Sequence, residues 1–324
     1  MDIYRSLAEI SRPFHEPSVT IGNFDGVHLG HQTLFAEVVS RAFRSGGAGV
    51  AITFHPHPLQ VVRPDRGVKL ISSFEQKVEM ITLAGINALV VIPFTREFAA
   101  MSAQDFVDRV LVGTVGVKDL VVGYDYAFGR GRQGDIPFLR AQGAEKGFSV
   151  SVVEPFYVDG MLVSSTKIRE LVAEGRMREV GKLLGRPYQI RGTVRMGKRR
   201  GGPVVGFPTA NLQILEEDLC PRHGVYVTQV VLAGRCYGGV MNIGYNPTFG
   251  DQELSAETHI FDFDGDLYGH RIKLNLLEFL RPERKFAGPA ELAAQIQEDS
   301  LLARRILGNA QKELLLACAD PYNR

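Results

Sequence analysis

A change of period near Gly185-Arg186-Pro187 constrains this chain more than any other feature. Before it, short β-rich runs alternate with amphipathic stretches of helical length; after it, extended runs follow one another, separated by Gly and Pro. A chain of 324 residues also exceeds the usual size of one compact domain. Two domains are therefore expected, residues 1–184 and 185–324. In the first, the pattern predicts strands at Val19–Ile21, Gly49–Phe54, Leu89–Ile92, Leu120–Val122 and Ser149–Val153. It predicts helices near His31–Arg44, Phe74–Ala84, Ala103–Leu111 and Pro137–Lys146. Alternation of this kind specifies an α/β parallel sheet covered by helices, with ligands at the carboxyl ends of the strands. In the second, extended runs at Gln189–Arg195, Val225–Leu232, Tyr237–Ile243, Ala256–Asp262 and Arg271–Phe279 specify an antiparallel barrel or sandwich. A long terminal helix follows, with Leu292, Ile296, Leu302 and Ile306 at roughly helical spacing.

Charge excludes some partners. Thirty-seven Lys and Arg balance thirty-six Asp and Glu, so the chain lacks the strong positive field of a general nucleic-acid binder or a polybasic membrane anchor. Cys220, Cys236 and Cys318 form no CxxC pair and are odd in number, which reads as reduced thiols used as small packing residues. No secretory signal opens the sequence, and no apolar run reaches the roughly 18 residues of a membrane span. A cytoplasmic location is the expectation.

Thr20-Ile21-Gly22-Asn23-Phe24-Asp25-Gly26-Val27-His28-Leu29-Gly30-His31 is a strand entering a glycine-rich turn and then a helix. Glycines permit close backbone approach, and the free N–H groups of a helix start favour an anion. His28 and His31, three residues apart, share one face of the first turn and can address one ligand, such as an α-phosphate. Two alternatives stand beside this: ordinary surface or core histidines, and a metal site completed by His55 and His57 of Phe54-His55-Pro56-His57-Pro58. Further along, Gly123–Arg130 offers aromatic faces and an acceptor for a flat heterocycle, and Ser164–Arg169 offers hydroxyl and cationic donors for phosphates.

In the second half, Gly206-Phe207-Pro208-Thr209-Ala210-Asn211-Leu212 combines a turn with a hydroxyl and an amide oxygen two residues apart, ligands that suit a hard cation such as Mg²⁺. Met196–Gly202 is a basic, glycine-containing loop able to cover phosphates or to remain an exposed hairpin tip; it lacks the ending of a Walker A sequence. Glu257-Thr258-His259-Ile260-Phe261-Asp262 reads as a strand, and alternation puts Glu257 and His259 on one face. A carboxylate there can accept the proton of a primary alcohol that attacks phosphorus.

Gly22–His31, Phe54–Pro58, Gly123–Gly129 and Ser164–Arg169, in that order, resemble the motifs of the adenylyltransferase module of bacterial bifunctional riboflavin kinase/FMN adenylyltransferases. The resemblance implies a Rossmann-like nucleotidyltransferase domain in which His28-Leu29-Gly30-His31 is an HxGH signature. It implies that His28 and His31 stabilise the transition state and that Gly22, Asn23 and Asp25 shape the nucleotide turn. It further implies that Ser165, Thr166 and Arg169 hold phosphates and that Asp125 positions substrate, although a turn-forming Asp explains that residue equally. Gly206–Leu212, Gly224–Tyr226, Met241–Phe249, Glu257–Phe261 and Leu280–Phe286 resemble the riboflavin kinase module, a six-stranded antiparallel β-barrel with a terminal helix. That implies Thr209 and Asn211 as Mg²⁺ ligands, Glu257 as the base toward the ribityl 5′-hydroxyl, and Arg281 in a segment lining the flavin site.

Together these imply phosphorylation of riboflavin to FMN in the later half of the chain, then adenylyl transfer from ATP to FMN in the earlier half. The implied partners are the small molecules riboflavin, FMN and ATP, with FAD as product, no nucleic acid, no membrane, and room for a weak homo-oligomer. One departure from the pattern is Gly201-Gly202-Pro203-Val204-Val205, where an Arg and a Leu are expected; it bears on nucleotide affinity. Two rival readings are a flavin- or nucleotide-binding regulator and a metal-dependent hydrolase centred on His28, His31, His55 and His57.

Overall fold

The computed structural model describes residues 1–195, 209–245 and 254–314, with side chains described through residue 308. The chain packs as two compact units, Met1–Ser165 and Thr166–Arg324.

The first unit runs β1 (Asp2–Tyr4), β2 (Ser18–Ile21), α1 (Leu29–Ser45), β3 (Gly49–His55), α2 (Pro58–Val62), α3 (Phe74–Leu83), β4 (Ala88–Pro93) and α4 (Arg96–Ala99). It continues with α5 (Ala103–Asp105, prolonged as a π-helix over Phe106–Val115), β5 (Asp119–Gly123), α6 (Ile136–Lys146), β6 (Ser149–Val153) and the hairpin β7 (Tyr157–Val158) and β8 (Met161–Leu162). The sheet order is β1-β4-β3-β2-β5-β6, with every pairing parallel. Its strands are apolar on both faces, as helices on both sides require. Val19, Ile21, Val50, Ile52, Val90, Ile92, Leu120 and Val122 face one core cluster. Ala51, Leu89, Val91 and Val121, the alternate residues, face another with Phe24, Val27, Phe35, Val38 and Ile81. Fully burying each such Val, Leu or Ile contributes about 1.5–3 kcal/mol. The expected strands and helices all form, whereas β1 and the β7–β8 hairpin, two or three residues per strand, are too short to show a period.

Successive strands step outward from β2 on one side and from β5 on the other. The crevice at such a switch point opens beyond the strands' carboxyl ends, where the Gly22–His28 turn and the turn after β5 emerge.

The second unit takes up α7 (Ser165–Glu174), then α8 (Met177–Leu184), β9 (Tyr188–Thr193), β10 (Thr209–Gln213), β11 (Gly224–Leu232), β12 (Arg235–Tyr245), β13 (Leu254–Ile260), β14 (Arg271–Arg281) and α9 (Pro289–Leu314). The packing boundary thus falls before α7 and α8, whereas the change of sequence texture falls after them. α8 lies on β14, where the Arg178 Nε donates to Glu278 at 3.1 Å. The sheet order is β10-β13-β12-β11-β14-β9, all antiparallel. Its two edges meet where the Arg195 N–H donates to the Asn211 carbonyl at 2.9 Å, so the sheet curls into a barrel. α9 lays Ala303, Ile306 and Leu307 against Val227, Val240 and Phe261. A side chain at Gly238 would meet Leu307 Cδ1 at 2.6 Å, so the glycine lets the helix approach. β10 is a strand where the sequence suggested only a turn followed by ligands. Cys220 is a free thiol whose pKa burial pushes up to about 11, while Cys236 is disulfide-bonded, which departs from the expectation of three reduced thiols.

Candidate active sites

The first site is built on one continuous stretch. The Gly22 N–H completes the sheet by donating to the Ile52 carbonyl at 3.1 Å, and the chain then turns sharply through Phe24 (φ 49°), Gly26 (φ 81°) and Val27 (φ 40°). Left-handed backbone at Phe and at β-branched Val is strained, and it persists because the surroundings fix it. Phe24 and Val27 are buried in the core. Asp25, buried, accepts from the Ile71 N–H at 3.1 Å and the Ser72 N–H at 3.3 Å, while the Gly26 N–H donates to Ser72 Oγ at 3.1 Å. Thr53 Oγ1 donates to the Asn23 carbonyl at 3.3 Å and Ser165 Oγ to the Asp25 carbonyl at 3.0 Å. The sequence-predicted Gly22, Asn23, Asp25 and Ser165 therefore come together around one turn, with the backbone as well as the side chains engaged.

That turn presents the histidines. His28 caps α1, its Nδ1 accepting from the His31 N–H at 3.3 Å, and the two rings stack with centroids 3.6 Å apart. His31 Nδ1 is fully enclosed and has no hydrogen-bond partner among the described residues. Burial first, then the neighbouring His28 and Lys77, hold the His31 pKa well below its ordinary value, so the ring is neutral near pH 7. Lys77, on the inner face of α3 and 6% exposed, has its own pKa lowered by burial and partly restored by Asp25. A buried His28, a half-buried His31 and a buried ammonium against one buried carboxylate suit an incoming anion.

Asp125 is exposed in the turn after β5. Of the aromatic faces expected there, Tyr126 and Phe128 stack on each other against the core, burial pushing the Tyr126 hydroxyl pKa upward, and Tyr124 remains exposed. Thr166 is exposed and Arg169 half-buried on the first turns of α7. The metal alternative finds no support in the geometry: His57 caps α2, its Nδ1 accepting from the Leu59 N–H at 3.2 Å, and His55 packs on Phe74 with centroids 4.8 Å apart. No group of three or more His, Cys, Asp or Glu able to hold a metal occurs among the described residues.

The second site is built by register. Asn211 on β10 is directly opposite Glu257 on β13, and Glu257 is directly opposite Asn242 on β12, so the three side chains form a row on one face. Thr209 and His259, two residues along their strands, share that face. Asn211 Nδ2 lies 3.5 Å from the Thr209 carbonyl, so the amide nitrogen is engaged within the strand and the amide oxygen is the group left to act as a ligand. A hydroxyl and an amide oxygen on adjacent same-face positions fit a hard divalent cation. Burial, then the charge of Glu283, raises the Glu257 pKa, as a general base requires. Arg281 is committed elsewhere: its guanidinium meets the buried Asp299 carboxylate through Nη2 at 2.7 Å and Nε at 3.1 Å. It ties the segment after β14 to α9.

Gly206-Phe207-Pro208, the loop Met196–Gly202, the atypical Gly201–Val205, the turn Asn246–Phe249 and Cys318 lie outside the described residues. Sequence reasoning missed Lys77, Asn242 and Glu283. Alternation along β12 would have put Asn242 on the outer face, but its pairing with Glu257 needed the register.

Residues 11–167 match the family model described as FAD synthetase, and residues 184–307 the one described as riboflavin kinase. The bifunctional riboflavin kinase/FMN adenylyltransferase of Listeria monocytogenes is 38% identical over 283 residues, 87% of this chain and 89% of the relative. That of Escherichia coli K12 is 36% identical over 310 residues, 95% and 98% of the two chains. A crystal structure described as a macrolide-efflux protein from Streptococcus pneumoniae superposes with a TM-score of 0.84 at 30% identity, covering 93% of this chain and 98% of the other. Among the described residues here, no helix is long and apolar enough to cross a membrane.

Proposed function

The chain belongs to the bifunctional riboflavin kinase/FMN adenylyltransferase family, and from that premise we propose which of its residues carry each reaction. It phosphorylates riboflavin to FMN with ATP and then transfers the adenylyl group of ATP to FMN, giving FAD and pyrophosphate. We assign the transferase to residues 1–184 and the kinase to residues 185–324.

In the transferase, an FMN phosphate oxygen attacks the α-phosphorus of ATP, the bond to pyrophosphate breaks, and no covalent enzyme intermediate forms. The catalytic work is orientation of two anions and stabilisation of developing charge. His28 and His31 donate to that charge. The enclosed, neutral His31 supports this role, because a low-dielectric site strengthens each hydrogen bond made there. Gly22, Asn23 and Asp25 hold the turn open to the nucleotide, Ser165, Thr166 and Arg169 bind phosphates, and Asp125 positions substrate.

In the kinase, Glu257 takes the proton of the ribityl 5′-hydroxyl as that oxygen attacks the γ-phosphorus of ATP. Thr209 and Asn211 would hold Mg²⁺, which when bound neutralises phosphate charge. Arg281 acts by anchoring the segment that borders the flavin. Both steps consume ATP, and we place the chain in the cytoplasm with riboflavin, FMN and ATP as its partners. The single observation that carries this assignment is the register that sets Glu257, a carboxylate of raised pKa, directly opposite Asn211, with Thr209 two residues along the same strand on the same face. Incubation with riboflavin, ATP and Mg²⁺ should yield FMN and then FAD on a flavin chromatogram; folded protein giving neither product sinks the reading.

A further inference from the structure

The polar row of the second unit has two unlike ends. At the β10 end, Asn211 stands with Thr209 and offers oxygens to a cation. At the β12 end, Asn242 Nδ2 donates to Glu283 Oε1 at 3.0 Å. The Glu283 carboxylate lies so close over Gly244 that a side chain there would overlap it. The segment bearing Glu283 follows β14 and is fixed to α9 by the bonds between Arg281 and Asp299. An amide, a bare backbone and an anchored segment thus hold an exposed carboxylate on Asn242, the residue directly opposite Glu257.

A carboxylate in this position repels the triphosphate, so its place is with the uncharged substrate. An ionised carboxylate only accepts hydrogen bonds, and the groups complementary to it are O–H donors. Riboflavin supplies these, because its ribityl chain carries secondary hydroxyls next to the primary one that reacts. We propose that Glu283, held by Asn242 over Gly244, is a specificity residue of the kinase site that accepts hydrogen bonds from the secondary ribityl hydroxyls. The proposal rests on the reading of Glu257 as the base toward the neighbouring primary hydroxyl. It makes the row directional, with phosphate at the β10 end and polyol at the β12 end.

The test is steady-state kinase kinetics of the full chain with riboflavin and with a riboflavin analogue lacking one secondary side-chain hydroxyl. Glu283→Ala should raise the riboflavin KM about tenfold with little change in kcat, and should reduce the preference for riboflavin over the analogue by a similar factor. Asn242→Ala should give a smaller rise in KM, since it frees the carboxylate without removing it. FMN adenylylation by the same preparations reports that the chain is folded; if Glu283→Ala loses it, Glu283→Gln carries the same two readouts. An unchanged KM with an unchanged preference overturns the proposal. So does a fall in kcat at constant KM, which would put Glu283 at the phosphate end. Failure of the base reading looks different: it appears as retained kcat in Glu257→Gln, whatever Glu283 does.

Discussion

The two sites differ in how far apart in sequence their parts lie. The site proposed for the transferase is centred on one turn, Gly22 to His31, whose strained backbone is clamped through Asp25, Ser72 and Thr53. The site proposed for the kinase is spread from Thr209 to Glu283 and is assembled where three strands pair in one register and a segment returns beside them. A local site takes its outline from its own turn and cap and needs only a few clamps from outside. A register site depends on the whole barrel, so changes far from the chemistry can disturb it.

The largest expected effect is a double dissociation. Glu257→Gln should lower the kinase kcat by about 10²–10⁴-fold, the range of a lost general base, while supplied FMN is still adenylylated. His28→Ala should lower adenylyl transfer by about 10²–10³-fold and let FMN accumulate. Assaying both activities on each variant checks this, and equal loss of both in a folded variant would break the separation of the sites.

A smaller effect sharpens the contrast between a local and a distributed site. Asp299→Ala leaves Arg281 without its carboxylate, at 20% and 8% side-chain exposure for the pair. Breaking a buried pair of this kind costs about 3–5 kcal/mol. Denaturant unfolding of the full chain should show the second unit destabilised, with kinase activity lost at lower denaturant and adenylyl transfer retained longer. Coincident loss of both activities would mean that the units do not respond independently.

The smallest effect concerns pH. His31 has a folded pKa depressed below the ordinary value of 6.5. Above that value both folded and unfolded chains hold the ring neutral. As pH falls below it the unfolded chain takes up a proton that the folded chain resists, so stability is lost toward acid. The slope contributed by one such group is at most about 1.4 kcal/mol per pH unit. Thermal unfolding from pH 7.5 to 5.5 should therefore show a steeper acid loss in the wild type than in His31→Gln; identical slopes would show that His31 is not held neutral.

The sequence by itself determined the class of both halves and the stretch on which the local site is proposed. The two hydrophobic periods distinguish a parallel sheet buried on both faces from a curled antiparallel one, because each face of a strand or helix must find its own apolar partner. Gly22–His31 carries part of its geometry in its own residues, a strand end, a glycine turn and a histidine that caps the helix it begins, while Ile71, Ser72 and Thr53 hold the strained backbone between them. Glu257, Thr209 and Asn211 were legible through alternation and through resemblance, but their common row was not. Only tertiary structure decided that Asn242 stands opposite Glu257, that Glu283 fills the space over Gly244, that Arg281 is spent on Asp299, and that Lys77 is buried near Asp25 and His31. The physical reason is that cross-strand neighbours and helix-to-sheet contacts join residues far apart along the chain. No local period records which of them will meet.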